Sequence, residues 1–581
     1  MFLITTPLKE TWKENSEILL LGEWCKDDWA NKSLEKLNFQ LNEYHWDDRN
    51  QFLIDNKLIE SIYEKYLAVL SSKLNVIHQK NHSIRYWRII VGLWLRYFIE
   101  ITFDRYSSIN NANKKYNISE TWILNYDLKK WIPLNYQEFH KQSLFDSWNH
   151  ILYAEIIKFF DDFSYKIKRN NLEYEIPTTN ISWNKKVLKK LIIYFNKIIP
   201  DYFKKIFFVN SIIPLNDFIK LQYKIKQIPN FFEILVSPIM PKRENVDRTL
   251  RQKIRLDQGM TDFEKLLDHL IPNFLPKSYL ESFSGLESDI NKIYPKKVEK
   301  IYTANAYSYD EAFKIWTASQ VEKGTKLIIG QHGGRAGIAK VLQSHLHQIK
   351  ISDNYISWGW DGNNKNIIPL PSIKLSNLKY NHNQKITNRI IVVLPSYQKY
   401  FYHSSSMPLA GQCINHFQDQ LSVLDYLENS TKKNYYFRFG PRSKGFNFKK
   451  ILYKKNINMI DKKKYFEDSV NSSRLVVHSD NSTSLLETMA ANFPSLIFWN
   501  PKFYELTEEA KPFFDKFYDL GIMHYDSKSV AKKINEIYSD INQWWQDEEI
   551  QNVRNSFSKK FCLSSSNYLL EWKNFFTKSS V

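Results

Sequence analysis

The stretch 475–498 is LVVHSDNSTSLLETMAANFPSLIF, which holds an apolar run, a polar turn, a helix-like segment and, after a proline, a second apolar run. Short apolar runs bounded by turn residues indicate buried strands, and apolar residues at three- and four-residue spacing indicate a helix. A strand, a helix and a further strand in this order form the repeating unit of a parallel α/β sheet. We therefore predict an α/β fold.

The same alternation occurs on both sides of a polar stretch, residues 363–388, which we interpret as a linker. Strands are predicted before it at 301–303, 326–330 and 355–358, and after it at 390–394, 435–437, 475–477 and 496–498. Two such series predict two Rossmann-like parallel-sheet domains. The N-terminal domain would cover residues 1–375 and the C-terminal domain residues 389–540, with a last helix in 541–581 packing across both.

The N-terminal domain is expected to contain a large helical insertion. Two apolar runs at 2–5 and 18–22 look like first strands. From 58 to 77 apolar residues then recur at helical spacing, and helical periodicity interrupted by prolines continues to about residue 290. We therefore place the insertion at about 55–290.

Composition limits the class of protein. A chain of 581 residues is too long for one domain, and its three cysteines lie far apart, which argues against a disulfide scaffold or a thiolate zinc site. The first residues lack the pattern of a signal peptide, and no apolar run is long enough to cross a bilayer, so we expect a cytoplasmic protein. The formal charge of +19 favours an anionic partner, with a lysine-rich solvated surface as the alternative.

Three loops follow predicted strands at the edge where parallel sheets bind anions, because helix dipoles and unpaired amides favour negative charge there. The first loop is GQHGGRAG, residues 330–337. Gly333 and Gly334 permit close approach of the backbone to a phosphate, and His332 is a candidate for phosphate binding or proton transfer. The alternative is a turn with a structural histidine.

The second loop is YFRFGPRSKGF, residues 436–446. Arg438 and Lys444 follow a strand there, and guanidinium groups bind phosphates or carboxylates in bidentate fashion. A solvated basic loop is the alternative.

The third loop is the polar turn of the opening stretch. Ser482 and Thr483 are expected to begin the helix and point its amides at a phosphate. Glu487, one turn later, would accept hydrogen bonds from ribose hydroxyls, and His478 would assist from the end of the strand. Helix capping without a ligand is the alternative.

A further cluster near the N-terminus contains Glu23, His45 and Asp47. Carboxylates and histidines at strand ends can act as the general base for an acceptor hydroxyl. The alternative for each of them is a salt bridge at the end of a helix.

Residues 185–208 combine lysine pairs with aromatic and aliphatic residues. Such a segment could lie on an anionic membrane that carries a lipid-linked acceptor. The alternative is a core helix with a solvated lysine face.

Several motifs are absent from the sequence. No two aspartates are separated by one residue, so the Asp-x-Asp element that holds a divalent cation in one class of glycosyltransferases is missing. A Walker-type phosphate loop and a GxGxxG after a strand are missing as well, which argues against P-loop nucleotidases and dinucleotide oxidoreductases. There is also no GxSxG elbow.

Eight segments spread over nearly the whole chain carry a resemblance: FLITTPLKETW, LLGEWC, YHWDDR, NHSIRYWRIIVGLWL, GQHGGRAG, ISDNYISWGW, NSTSLLETMAANFPSLIFWNP and LGIMHYDS. With them the chain resembles a family of transferases from bacterial surface-carbohydrate gene clusters. The two predicted domains and the Ser-Thr…Glu segment are also similar to metal-independent glycosyltransferases of the two-domain, GT-B type. Transferases that use CMP-activated ulosonic acids have a comparable polar turn, but their usual His-Pro pair is absent, and FGPRSKG stands in a similar place.

The resemblance implies a nucleotide-sugar-dependent glycosyltransferase with a GT-B-like fold and no metal or other cofactor. It would move a sugar, with a CMP-ulosonic acid as one candidate donor, to a glycan, lipid-linked or protein acceptor at the cell surface. The expected location is cytoplasmic, with a peripheral contact at the inner face of the plasma membrane. The alternatives are polyol-phosphate transfer, nucleotide-sugar epimerisation and a basic nucleic-acid-binding protein. Nucleic acid is not an expected partner, because no RNA-binding signature occurs.

Overall fold

The computed structural model describes residues 1–13, 15–26, 38–173, 183–235, 239–378, 380, 388–440, 445–460 and 465–578. In these ranges the strands form three five-stranded sheets with helices between the strands. Every strand pair is parallel. The prediction of an α/β fold with parallel sheets is confirmed.

Sheet 1 lies in the first third of the chain. Its strands are β1 (Phe2–Ile4), β2 (Ile18–Leu20), β3 (Phe39–Leu41), β4 (Glu120–Asn125) and β5 (Ser164–Asn171), in the order β3-β2-β1-β4-β5. β1 and β2 are apolar and fully buried, as expected for parallel strands that are covered on both faces. β5 is an edge strand with charged, mostly exposed side chains.

Sheets 2 and 3 follow along the chain. Sheet 2 contains β6 (Ile206–Phe208), β7 (Lys300–Thr303), β8 (Lys326–Gly330), β9 (Asn354–Ser357) and β10 (Ile367–Pro369), in the order β10-β9-β8-β7-β6. Sheet 3 contains β11 (Ile390–Val393), β12 (Tyr435–Arg438), β13 (Leu475–His478), β14 (Ser495–Phe498) and β15 (Met523–His524), in the order β12-β11-β13-β14-β15.

Two long helices pack together, α1 (Arg49–His78) and α2 (Ile84–Lys115). The Asp48 carboxylate caps α1 by accepting the N–H groups of Asn50 and Gln51. The helices that follow, up to the end of sheet 2, are α3 (Leu128–Trp131), α4 (Tyr136–Gln142), α5 (Asp146–Phe160), α6 (Trp183–Ile198), α7 (Leu215–Lys224), α8 (Arg248–Gln252), α9 (Asp262–Phe274), α10 (Phe283–Ile293), α11 (Ala306–Tyr309), α12 (Glu311–Glu322), α13 (Gln343–Ile351) and α14 (Ile373–Ser376). Those of sheet 3 and the C-terminal region are α15 (Gln412–Ser422), α16 (Asn429–Lys432), α17 (Phe448–Lys454), α18 (Phe466–Asn471), α19 (Thr483–Ala490), α20 (Lys511–Asp519), α21 (Ser527–Ile537), α22 (Ile541–Trp545), α23 (Glu548–Phe561) and α24 (Tyr568–Thr577).

The number of sheets differs from the two that we predicted. The range of about 55–290, expected to be a helical insertion, contains strands β4, β5 and β6 besides its helices. Polar and charged residues interrupt the apolar ones in β4 and β5, so neither has the pattern of a buried strand. β6 is a short, apolar and buried run like β1 and β2, and it was missed because it lies among segments of helical periodicity. The first two strands of the chain therefore belong to a sheet of their own. The proposed domain boundaries stay a prediction.

The C-terminal region, expected as one helix in 541–581, forms the three helices α22, α23 and α24. Arg554 on α23 donates to the backbone oxygen of Met489 on α19, at 2.9 Å, beside sheet 3. Trp572 on α24 donates to the backbone oxygen of Pro371, at 2.8 Å, beside sheet 2. This region therefore contacts the helices and loops of both sheets. The stretch 363–388, interpreted as a linker, contains β10 and α14 in its described part.

Candidate functional site

The carboxyl ends of sheets 2 and 3 meet at the loop after β8 and the turn after β13. The N–H of Gly334 donates to Thr483 Oγ1 at 2.8 Å, and the N–H of Arg335 donates to the backbone oxygen of Asn481 at 3.1 Å. A Cβ atom on Gly334 would lie 2.3 Å from the carbonyl carbon of Ser482, so this approach requires glycine. A Cβ on Gly333 would lie 3.2 Å from Thr483 Oγ1, which is less restrictive. Two of the three predicted anion-binding loops are therefore adjacent.

The strand order of sheet 3 provides a crevice at the same place. Counted along the chain within the sheet, the strands are arranged second, first, third, fourth, fifth. In sheets of this order, ligands bind beyond the carboxyl ends of the first and third strands, where the order reverses. These strands are β11 and β13, and the residues directly after β13 are those of the polar turn.

Arg335 joins the two loops through its side chain. Its Nη2 donates to Asp480 Oδ2 at 2.7 Å. Burial disfavours the charged form of Arg335, but the Asp480 carboxylate outweighs this effect, and the pKa of the guanidinium is raised. The backbone of Arg335 has φ +69°, in the left-handed region that costs a non-glycine residue about 1 kcal/mol or more. This strain is local to the boundary between the sheets.

Several buried polar atoms at this boundary have no hydrogen-bond partner among the described residues. They are Arg335 Nε, Asp480 Oδ1 and both polar side-chain atoms of Asn481. Leaving such a group unpaired costs about 1–3 kcal/mol. The atoms therefore favour a polar ligand or ordered water at the end of β13.

The start of α19 does not have the side-chain caps that simple helix capping requires. Ser482 is the N-cap residue, but its hydroxyl accepts no hydrogen bond from the amides of the first turn. The Ser482 hydroxyl instead lies 3.2 Å from that of Ser484. Thr483 Oγ1 accepts from Gly334, so neither side chain fills the position in front of the helix.

His478 lies at the end of β13 and is fully buried. Its Nε2 lies 2.8 Å from Thr488 Oγ1, and its Nδ1 lies 3.5 Å from Ser484 Oγ. Burial lowers the pKa of the imidazole to about 3, so the ring is neutral near pH 7. In this position His478 holds the turn against α19.

An ion pair joins α19 beside sheet 3 to α14 beside sheet 2. Glu487 Oε1 lies 2.5 Å from Nζ of Lys374, which belongs to α14 after the last strand of sheet 2. Arg438, at the end of β12, lies within the electrostatic reach of Glu487 and donates to Ser469 Oγ at 3.2 Å. Burial lowers the pKa of Arg438, and Glu487 opposes that shift. Arg438 and Glu487 therefore lie within electrostatic range of each other.

His332 lines a small cavity at the carboxyl end of sheet 2. The cavity has a volume of about 30 Å³ and is bordered by the loops after β6, β8, β9 and β10 and by Trp572 of α24. Lys374 is also part of its wall. Its lining thus comes from the loops of sheet 2, from α14 and from α24.

A buried carboxyl group supports the wall of this cavity. Ser211, which lines the cavity, donates its N–H at 2.7 Å and its hydroxyl at 2.6 Å to Glu233 Oε1. Burial raises the pKa of Glu233 from 4.5 to about 7, although these hydrogen bonds oppose the shift. The next residue, Ile212, has φ +60°, which is rare for a β-branched side chain. The loop after β6 is therefore strained where it borders the cavity.

The N-terminal candidates lie at the carboxyl edge of sheet 1. Glu23 Oε2 pairs with Lys26 Nζ at 2.7 Å, and His45 Nε2 lies 3.1 Å from Asp104 Oδ1. Asp47 accepts from the side chain of Gln412 at 2.9 Å. Glu23 is thus in an ion pair, His45 faces a carboxylate, and Asp47 accepts a hydrogen bond from a neutral amide. Their role as a general base stays a prediction.

Residues 395–411, here called the central segment, separate this cluster from the cleft between sheets 2 and 3. On one side Arg105 of α2 donates to the backbone oxygen of Phe401 at 2.9 Å, and the Ser404 N–H donates to Glu100 at 2.9 Å. On the other side the N–H of Val341, from the loop after β8, donates to Ser406 Oγ at 3.0 Å. The structure therefore brings His332, Gly334, Arg438, Thr483 and Glu487 to one boundary and leaves the N-terminal candidates beyond the central segment.

The similarity to known proteins extends over nearly the whole chain. A family model described as LIC12162 family transferase matches residues 1–576. The chain belongs to the LIC12162 family of transferases. No curated protein matches it. Among solved structures, MurG from Acinetobacter baumannii is similar over 52% of this chain and 78% of its own, with 10% identity and a TM-score of 0.29.

In this member of the LIC12162 family, sequence reasoning missed several residues at the boundary. Arg335 and Asp480 lie inside two loops that we singled out, but their pairing is visible only in the fold. Lys374 was missed because the stretch around it looks like a linker, and Glu233 because its range was expected to be helical insertion. Lys444 lies outside the described residues.

No described group of three or more histidine, cysteine, aspartate or glutamate side chains is arranged to hold a metal ion. Within the same ranges, no helix is both long enough and apolar enough to cross a bilayer.

Proposed function

We propose that this transferase moves a sugar from a nucleotide-activated donor to an acceptor of the cell surface, and that the donor binds between sheets 2 and 3. The observation that carries the proposal is the hydrogen bond between Gly334 and Thr483. It joins a glycine loop after one parallel strand to the start of a helix after another. Anionic groups are stabilised at such places by backbone amides and the helix dipole.

The residues around this contact supply the chemistry that a leaving nucleotide requires. Arg438 and the first amides of α19 stabilise the phosphate, with His332 reaching it from sheet 2. Glu487 binds the ribose hydroxyls once Lys374 moves away from it. Preorganised positive groups of this kind stabilise the charge that develops on the leaving group, and they would do so in place of a metal ion.

The cleft would open to admit a nucleotide, because hydrogen bonds between the glycine loop and the polar turn hold its two sides together. Closure over the donor would then exclude water and limit donor hydrolysis. Arg335 and Asp480 lie on opposite sides of the boundary, so opening separates or rearranges this pair.

The acceptor in this proposal is a glycan, a lipid-linked sugar or a protein, reached in the cytoplasm or at the inner face of the plasma membrane. Glu23, His45 and Asp47 are proposed to lie on the acceptor side. A CMP-ulosonic acid is the candidate donor that the polar turn favours.

Thermal unfolding in the presence of nucleotides tests the proposal. A ligand at a hundred times its dissociation constant stabilises the folded state by roughly 2.7 kcal/mol. We expect CMP to raise the melting temperature more than UMP or GMP, and the shift to persist in EDTA. A preference for UDP or GDP would keep the glycosyltransferase and change the donor class. Absence of a shift with any nucleotide at millimolar concentration would contradict the proposed site.

A further inference from the structure

Helix α6 exposes a stripe of large apolar side chains. Its members, between 41% and 67% exposed, are Leu188, Leu191, Tyr194, Phe195 and Ile198. Their spacing of three, three, one and three residues places them on one face of the helix. An exposed face of this kind marks a surface that binds another apolar surface. The alternative of a core helix with a solvated lysine face does not account for this exposed apolar stripe.

The face of α6 next to the stripe is anchored in the protein. Ile192, Asn196 and Ile199 are buried, and Lys204 Nζ donates to the backbone oxygen of Asn196 at 3.1 Å. Phe195 also contacts the ring of Phe231 at a centroid distance of 6.1 Å. The stripe thus lies beside the face by which the helix packs on the protein.

Positive charges flank the stripe. Lys190 and Lys197 are exposed, and neither forms an ion pair with any described residue. The sequence of α6 contains no aspartate or glutamate, and the whole chain has a formal charge of +19. An apolar face bordered by lysines is the pattern of a helix that lies in the interface of an anionic bilayer.

We propose that α6 docks this protein on an anionic lipid bilayer, with the stripe inserted among the headgroups and acyl chains and the two lysines on lipid phosphates. A second copy of the chain would fit this face less well, because it would bring the lysines of both copies together. Each lysine near an anionic surface contributes about 1 kcal/mol, or about a fivefold change in affinity.

The same surface is connected to the cavity of sheet 2. Phe231, which contacts Phe195, begins the 3-10 helix Phe231–Ile234, and this helix also carries Glu233. Glu233 holds Ser211 in the cavity wall. If the proposed function is correct, docking through α6 brings a lipid-linked acceptor close to this edge of sheet 2.

Vesicle sedimentation of the full chain tests the docking. The probes are vesicles of phosphatidylcholine alone and vesicles that also contain phosphatidylglycerol. The stripe variant carries Leu191→Ser, Tyr194→Ser and Ile198→Ser. Its matched control carries Val76→Ser, Met260→Ser and Tyr453→Ser, three exposed apolar residues outside α6. The lysine variant carries Lys190→Gln and Lys197→Gln.

We expect the native chain and the matched control to sediment with anionic vesicles only. The stripe variant should bind at least about tenfold more weakly, and the lysine variant about fivefold more weakly for each charge at low salt. Equal recovery of the native chain with both vesicle types overturns the proposal, and so does full binding by the stripe variant. A native dimer without lipid that the stripe substitutions dissociate would assign this face to a second copy.

The nucleotide-induced melting shift of the stripe variant separates this inference from the proposed function. An unchanged shift with lost vesicle binding is the result we expect.

Discussion

Gly334 donates its backbone N–H to the hydroxyl of Thr483 although 149 residues separate them in the sequence. The hydrogen bond holds the glycine loop of sheet 2 against the first turn of α19 in sheet 3. Because the backbones approach so closely, the boundary between these sheets depends on the absence of a side chain at residue 334.

Replacing Gly334 by alanine should therefore prevent the closed contact. The added Cβ would lie 2.3 Å from backbone of Ser482, which cannot yield without moving one loop. We expect a loss of about 1–3 kcal/mol in the free energy of unfolding and a weaker nucleotide-induced melting shift. Gly333→Ala is the matched control, since its Cβ meets only the Thr483 hydroxyl, at 3.2 Å. Equal effects of the two substitutions would contradict the role of this contact.

Removing Arg438 or His332 should reduce transfer and leave the protein folded. Losing a charge-assisted contact with a departing phosphate costs on the order of 2–4 kcal/mol of transition-state stabilisation. The measurement is the rate of transfer by Arg438→Ala and His332→Ala once a donor has been found. Arg474→Ala removes the same charge at the amino end of β13 and should transfer normally. Near-native rates in both site variants would remove these residues from the mechanism.

Glu487→Ala tests ribose binding at the polar turn. The carboxylate lies past the start of α19 and pairs with Lys374, which is 44% exposed and can return to water. We expect little change in the unliganded melting temperature and a smaller shift on addition of nucleotide. An undiminished shift would leave Glu487 with only its structural ion pair.

Glu233 predicts a pH dependence of stability. Its pKa is raised from 4.5 to about 7 in the folded state, mainly by burial. The unfolded chain therefore ionises first, and stability is lost as the pH rises from about 4.5 through about 7. The amide of Glu233→Gln stays neutral at every pH, so the variant does not lose this stability. The difference in melting temperature, variant minus native, should therefore rise over this pH window and then level off. The full effect is on the order of 3 kcal/mol.

Glu299→Gln, at an exposed position, controls for the chemical change itself. Its melting temperature relative to the native chain should stay constant over the same pH range. A flat difference for Glu233→Gln as well would show that Glu233 ionises normally in the folded protein.

The sequence predicts β7–β9 of sheet 2 and β11–β14 of sheet 3, because these strands are apolar runs bounded by turn residues. It does not predict the shorter strands β6, β10 and β15. β13, predicted at 475–477, is observed as Leu475–His478. β5 is not predicted, because its lysines, arginine and asparagines leave no alternation of apolar and polar residues on this exposed edge strand. The pairing of Arg335 with Asp480 is not predicted for another reason. Sequence patterns describe neighbours along the chain, whereas this contact joins loops of two sheets. The sequence therefore predicts that strand ends are candidate sites, but it does not predict which strand ends face each other.

The central segment couples regions that the candidate site would otherwise keep apart. Ser404 is bound to Glu100 beside sheet 1, and Ser406 is bound to Val341 beside the cleft. In the proposed function, opening of the cleft would act on the acceptor side through two residues that are nearly adjacent in the chain. By thermodynamic linkage, an acceptor that favours one position of this segment changes donor affinity by the same factor by which the donor changes acceptor affinity. The strength of this coupling would then be a property of the segment, measurable as the change in one dissociation constant when the other substrate is bound.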